Sequence, residues 1–148
     1  MDRTSAMLVR ELMTRDVVTV SADATLRETV GELRDHSVGS VVVVDGDGAP
    51  IGIVTESDAL AAAHETDDPL SALRVGDRSH RPVVTTEPDR SVTHLVRRMI
   101  DENVKKVPVL DDLDIVGIVT LTDIVWELSE LRSEAADLAT PPNGWGPN

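Results

Sequence analysis

GIVTESD (Gly52 to Asp58) and GIVTLTD (Gly117 to Asp123) share the pattern G-I-V-T-x-x-D and stand 65 residues apart. Outward from them the match continues at an offset of 66: Val17-Val18-Thr19 with Val83-Val84-Thr85, Asp23 with Asp89, Val30 with Val96, Asp35 with Asp101, Val38 with Val104, Val41 with Val107, and Asp45 with Asp111. One domain-sized unit is written twice in a chain of 148 residues. The slip from 66 to 65 falls where DGDGAP (Asp45 to Pro50) faces DDLDI (Asp111 to Ile115). Insertions collect in turns, so this locates the hairpin of each unit. The period exceeds the roughly 20 to 50 residues of solenoid repeats, which favours two small lobes packed on each other. Each lobe alone buries little apolar surface, so the function is expected between the halves.

Each unit reads as strand, helix, strand, strand, helix. Val17 to Val20 and Val83 to Thr86 are short β-branched runs. Asp23 to His36 and Asp89 to Asn103 carry helical spacing through Leu26, Val30 and Leu33 and through Val92, Val96 and Met99. Thr25 and Glu28 form a capping box at the first of these helices. The run Ser40 to Val44, the turn Asp45-Gly46-Asp47-Gly48 and the strand Ile51 to Thr55 follow, with Val107 to Leu110 and Ile115 to Thr120 as counterparts. The last helix, Leu121 to Leu138, presents Leu121, Ile124, Val125, Leu128, Leu131 and Ala135 as a stripe that needs a cover. Its counterpart, Ala59 to Ala63, is alanine-rich and permits close helix approach. The predicted boundaries are 7–68 and 73–138, with 139–148 as a flexible Pro- and Gly-rich tail containing Trp145.

Composition bounds the partners. There are 27 acidic and 14 basic side chains, a net charge of −13, which opposes a sequence-independent grip on nucleic acid or anionic lipid. The absence of cysteine removes disulfides, thiolate metal sites and thiol nucleophiles, and fits a reducing interior. The start, MDRTSAMLVRELM, lacks the apolar core of a signal peptide, and no run approaches the roughly 20 apolar residues of a membrane span. A soluble cytoplasmic protein is expected. Acidic, lysine-poor composition resembles that of proteins from salt-loving organisms. It also makes the only two lysines, the adjacent Lys105 and Lys106, informative.

The doubled unit and its two G-h-h-T-x-x-D closures resemble a tandem pair of CBS domains, over about Val9 to Leu138. That resemblance implies an α+β fold of two β-α-β-β-α repeats packed as a pseudo-twofold pair with two clefts, and a homodimer. It also implies adenosine-containing ligands and a regulatory role toward a separate effector protein.

The residues themselves support such chemistry. A threonine at a strand-to-helix junction offers a hydroxyl beside free N–H groups and the positive end of a helix dipole. A carboxylate three residues later suits the vicinal hydroxyls of a ribose. The same T-x-x-D is also a helix capping box, and the two roles coexist. By the resemblance, the first cleft takes ribose on Asp58, phosphate on Thr55, Lys105 and Lys106, and adenine against Ile53, Val83 and Val84. The second is built from Ile118, Thr120 and Asp123 with Val17 and Val18. Gly39 and Ser40 stand there in place of the lysines. A nucleotide (AMP, ADP or ATP) is expected in the first cleft, with the second empty or holding a less anionic molecule such as S-adenosylmethionine or a methylthioadenosine-like one. At about 1 M salt the Debye length is about 3 Å, so remote carboxylates do not prevent anion binding.

Other groups carry less. His36, His64, His80 and His94 lack metal-ligand spacing. Asp45/Asp47 and Asp111/Asp112/Asp114 read as solvated hairpins rather than calcium loops. Trp126 reads as a packing anchor, and no serine has an evident histidine partner. No metal or required cofactor is expected. The expectation is therefore a non-enzymatic adenosine-ligand sensor. The alternatives are a ligand-free dimerisation scaffold, in which both T-x-x-D elements are only caps, and a nucleotide hydrolase.

Overall fold

The computed structural model describes residues 7–79 and 83–135. Along the chain the elements are α1 (Val9–Leu12), β1 (Thr19–Ser21), α2 (Leu26–Asp35), β2 (Ser40–Val44), β3 (Pro50–Thr55) and α3 (Glu56–Glu65). Two 3-10 turns follow (Leu70–Ala72 and Val75–Asp77), then α4 (Val92–Glu102), β4 (Lys106–Asp111), β5 (Asp114–Thr120) and α5 (Leu121–Ala135). They pack as two units, 16–79, 83 and 112–115 in one, and 7–15, 84–111 and 116–135 in the other. The predicted tail 139–148, with Trp145, and His80 lie outside the described residues, as do the side chains of Leu128, Leu131 and Ala135. No helix among the described residues is long and apolar enough to cross a membrane.

In the first-repeat unit β1 runs parallel to β2, which pairs antiparallel with β3. The pleat sends alternate residues to opposite faces. Val41 and Val43 therefore join Val20, Leu26, Leu33, Val54, Ala62 and Val75 in one core, while Val42 and its partner Ile53 lie buried on the other face. α2 opens with the expected capping box: Glu28 N–H donates to Thr25 Oγ1 at 3.1 Å and Thr25 N–H to Glu28 Oε1 at 3.2 Å. It closes on Ser37 at φ 54°, with Val38 N–H donating back to Leu33 O at 3.0 Å. The second repeat closes α4 the same way, with Asn103 at φ 54° and Val104 N–H on Met99 O at 3.0 Å. A left-handed residue followed by this long back-bond satisfies the last helical carbonyls.

The second-repeat unit holds a β4–β5 hairpin over a core of Val9, Val92, Leu95, Met99, Val107, Val109, Val119 and Ile124. The predicted strand Val83–Thr86 shrinks to a single parallel bridge, Thr86 with Val109. The reason is a proline. In the first repeat Val42 N–H donates to Val18 O at 3.0 Å, and the residue at the Val42 position of the second repeat is Pro108, which has no N–H to offer Val84.

The packed units differ from the segments 7–68 and 73–138 by an exchange of arms. Met7-Leu8-Val9 and Leu73-Arg74-Val75 occupy equivalent positions at the offset of 66. Met7 O accepts from Val92 N–H at 2.9 Å and Val9 N–H donates to Arg90 O at 2.9 Å, so the N-terminal arm closes the second-repeat core. Leu73 O accepts from Leu26 N–H at 2.9 Å and Val75 N–H donates to Ala24 O at 2.8 Å, so the connecting arm closes the first. Val9 and Val75 are both fully buried.

One buried position breaks the apolar pattern. Thr86 is 6% exposed and its hydroxyl has no hydrogen-bond partner among the described residues, whereas the repeat-equivalent residue is the core Val20. A buried hydroxyl without a partner costs about 1 to 3 kcal/mol. Thr86→Val keeps the shape and removes that cost. It is expected to raise stability by about 1 kcal/mol, read in thermal unfolding as a midpoint about 3 to 6 °C higher. An unchanged or lowered midpoint contradicts this account.

Candidate functional site

Both T-x-x-D elements sit where a strand turns directly into a helix. In the first repeat Thr55 caps α3: Thr55 N–H and Oγ1–H donate to Asp58 Oδ2 at 2.8 and 3.0 Å, and Asp58 N–H donates to Thr55 Oγ1 at 3.3 Å. In the second, Thr120 N–H donates to Asp123 Oδ2 at 3.1 Å and Asp123 N–H to Thr120 Oγ1 at 3.1 Å. Both are reciprocal capping boxes, with the carboxylate at the positive end of the helix dipole. All four residues are half-buried, so a ligand can reach them.

The first residue of each following helix ties this junction to the start of the neighbouring strand. Glu56 N–H donates to Gly39 O at 3.3 Å, and Leu121 N–H to Lys105 O at 2.8 Å. Within the first-repeat unit Thr55 thus lies opposite Ser40 in the sheet. Within the second, Lys105, exposed, and Lys106, half-buried, border Thr120. Thr55 and Asp58, expected to share a ligand with the lysines, belong to the first-repeat unit.

The remaining expected site residues divide in the same way. Ile53, Thr55, Asp58, Val17, Val18, Ser40 and Val83 belong to the first-repeat unit, and Val84, Lys105, Lys106, Ile118, Thr120 and Asp123 to the second. Val17 and Val18 precede β1 and line a pocket of about 550 Å³ with Asp16, Thr19, Glu32, His36 and Val38. Asp16, Glu32 and His36 were not picked out as site residues. Their signal was present in the repeat register, where the charged positions change between the copies.

The glycine that opens the second motif, Gly117, has a packing reason. Thr14 and Ile118 exchange both backbone hydrogen bonds at 2.9 Å, so the arm lies flat against β5. A Cβ on Gly117 would meet Met13 Sδ at 2.6 Å and Thr14 O at 3.0 Å. Only glycine admits the arm there without displacement. The same pairing occupies the Ile118 backbone and leaves its half-buried side chain as its contribution to a site.

The acidic hairpin is explained by its own turn. Asp45 Oδ1 accepts from Asp47 N–H at 2.9 Å and Ala49 N–H at 3.0 Å, and Gly48 takes φ 85°. Among the described residues no group of His, Asp and Glu is placed to hold a metal ion. His36 Nε2 lies 3.1 Å from Glu32 Oε2, and Trp126 is half-buried.

The family model of the CBS domain matches twice, at residues 9–65 and 75–130. The chain belongs to the CBS-domain family. A CBS-domain pair crystallised in complex with 5′-methylthioadenosine and S-adenosyl-L-methionine superposes with a TM-score of 0.73 at 27% identity, over 84% of this chain and 98% of that one. An uncharacterised protein of Methanopyrus kandleri is 36% identical over 118 residues, 79% of this chain and 60% of its own length. One of Methanocaldococcus jannaschii is 30% identical over 139 residues, 86% of this chain and 33% of its own length. The chain therefore spans less than two thirds of each of these relatives. Its two units are CBS repeats, each completed by the arm exchange described above, and the CBS pair is a regulatory, ligand-binding kind of module.

Proposed function

We propose that this CBS pair is a non-catalytic sensor of an adenosine-containing ligand, AMP, ADP or ATP, that works as a homodimer and signals to a separate effector protein. The observation that carries the reading is the pair of strand-to-helix junctions, each with a half-buried carboxylate in the first helical turn. Asp58 and Asp123 hold ribose hydroxyls. The positive helix ends and the only lysines, Lys105 and Lys106, hold phosphate. Support comes from the similar CBS pair crystallised with two adenosine-type ligands. The homodimer is supported by the apolar side chains left exposed on the helices: Leu60 and its repeat equivalent Val125 are 72% and 46% exposed, and Ile100 is 71% exposed. Occupancy acts by favouring one arrangement of the module over another.

A scaffold without ligand is the second reading, favoured by the completeness of both capping boxes. Asp58→Asn with Asp123→Asn separates the two. The asparagine carbonyl still accepts the capping N–H, so stability changes by no more than about 1 kcal/mol. Ribose loses a charge-assisted hydrogen bond, and affinity in calorimetric titration is expected to fall about tenfold or more. Unchanged affinity in the folded variant removes the carboxylates from the site. No binding by the folded wild type favours the scaffold.

A further inference from the structure

The helical faces of the two repeats carry opposite relief. In the first-repeat unit α2, α3 and the turn at Leu70 bound an open groove of about 590 Å³, with Val30, Leu33 and Val38 in its apolar wall. The groove is open because α3 brings only Ala59 and Ala63 to it, and Leu60 stands exposed at its edge. At the repeat offset Ala59 and Ala63 become Ile124 and Leu128. The groove residues Arg34, Glu56 and Leu60 become Ile100, Leu121 and Val125, and all three of these are exposed. The second repeat therefore presents apolar side chains outward at the positions where the first is recessed or charged. Each face alone leaves apolar surface in water, and packing one into the other covers both.

Charge agrees with shape. Asp101 and Glu102 follow Ile100 and are exposed, and Lys105, whose carbonyl accepts from Leu121 N–H at 2.8 Å, borders Leu121. A ridge laid in the groove brings carboxylates to Arg34 and a cation to Glu56. A groove laid on a groove offers Glu56 the uncharged Gly39 and Ser40 at the lysine positions. It also sets two alanine-lined hollows face to face, and unfilled space forfeits dispersion contacts.

We propose that the homodimer pairs unlike repeats: the groove between α2 and α3 of one copy takes the ridge of α4 and α5 of the second copy. A twofold axis repeats the contact, which uses both faces of each chain and ends growth at two. The proposal rests on the homodimer reading above and adds its orientation.

The chain has no cysteine, so single thiols can be placed cleanly. Leu60 and Val125 are exposed, repeat-equivalent and outside both core clusters. Leu60→Cys and Val125→Cys are treated with a short thiol-to-thiol crosslinker, separately and after mixing, with mass followed by sedimentation and folding by circular dichroism. Crosslinked dimer in the mixture, with neither variant linking to itself, is the expected result. In a second set, Leu60→Lys and Val125→Asp are each expected to weaken the dimer about tenfold, and the two together in one chain to recover most of that loss, since unlike pairing sets the new charges opposite each other. Linking of either cysteine variant to itself, a dimer that links in no sample, or a double charge variant weaker than either single one overturns the unlike pairing and leaves the homodimer standing. Folded wild type that sediments as a monomer overturns both and leaves the groove to a different protein.

Discussion

Replacing Lys105 and Lys106 together by alanine is expected to weaken AMP and ATP binding by about a hundredfold or more, with little change in stability. Lys105 is exposed and Lys106 half-buried, and neither belongs to a hydrophobic core cluster, so the fold does not depend on their side chains. The tie from the strand to the helix is made by the Lys105 carbonyl, which the substitution keeps. Charge-assisted hydrogen bonds to phosphate are worth about 1.5 to 3 kcal/mol each. The chain has no other lysine. The loss should grow with the phosphate count of the ligand and be absent for adenosine. Calorimetric titration of adenosine, AMP and ATP into both proteins reads this directly. Equal weakening of all three points to a disturbed fold, and no weakening removes the lysines from the site.

The second large effect concerns the exchanged arm. Val9→Asp places an uncompensated carboxylate in a fully buried position of the second-repeat core, beside Val92, Leu95 and Val119. A cost of more than about 3 kcal/mol is expected. The informative point is where the damage appears. Hydrogen exchange should show lost protection in α4, β4 and β5, while β1, β2 and β3 of the first repeat keep theirs. Loss centred on the first-repeat strands, nearest in sequence, contradicts the exchange of arms.

That exchange marks the limit of what the sequence discloses. Met7-Leu8-Val9 and Leu73-Arg74-Val75 are equivalent at the repeat offset, so no local pattern says which repeat each arm closes. The decision is made by long-range bonds such as Val92 N–H to Met7 O at 2.9 Å. By contrast, the doubled order of elements and the capping box at Thr25 were legible, because each rests on residues a few positions apart. The shortening of the strand before α4 was legible in principle through Pro108, once the partner of the Val42 amide is known.

The site was legible in its parts. The T-x-x-D pattern predicts both a cap and a ligand contact, and geometry displays the cap, since its partners lie three residues away. The bond from Leu121 N–H to Lys105 O, which sets the lysines beside Thr120, joins residues 16 apart in sequence and requires the hairpin register. The carboxylates of the first-repeat pocket escaped notice for a different reason. In a chain of net charge −13 an acidic side chain carries little information until its repeat counterpart is compared, Arg98 for Glu32 and Pro82 for Asp16.

The central claim is that this CBS pair senses an adenosine-containing ligand, and calorimetric titration of AMP into the wild-type chain, at low and at high potassium chloride, tests it most directly. Saturable binding near one AMP per chain is the predicted result, retained at about 1 M salt because contacts within a site outlast the screened repulsion of remote carboxylates. The absence of binding at either salt, from protein shown to be folded, would contradict the account and make the two capping boxes purely structural.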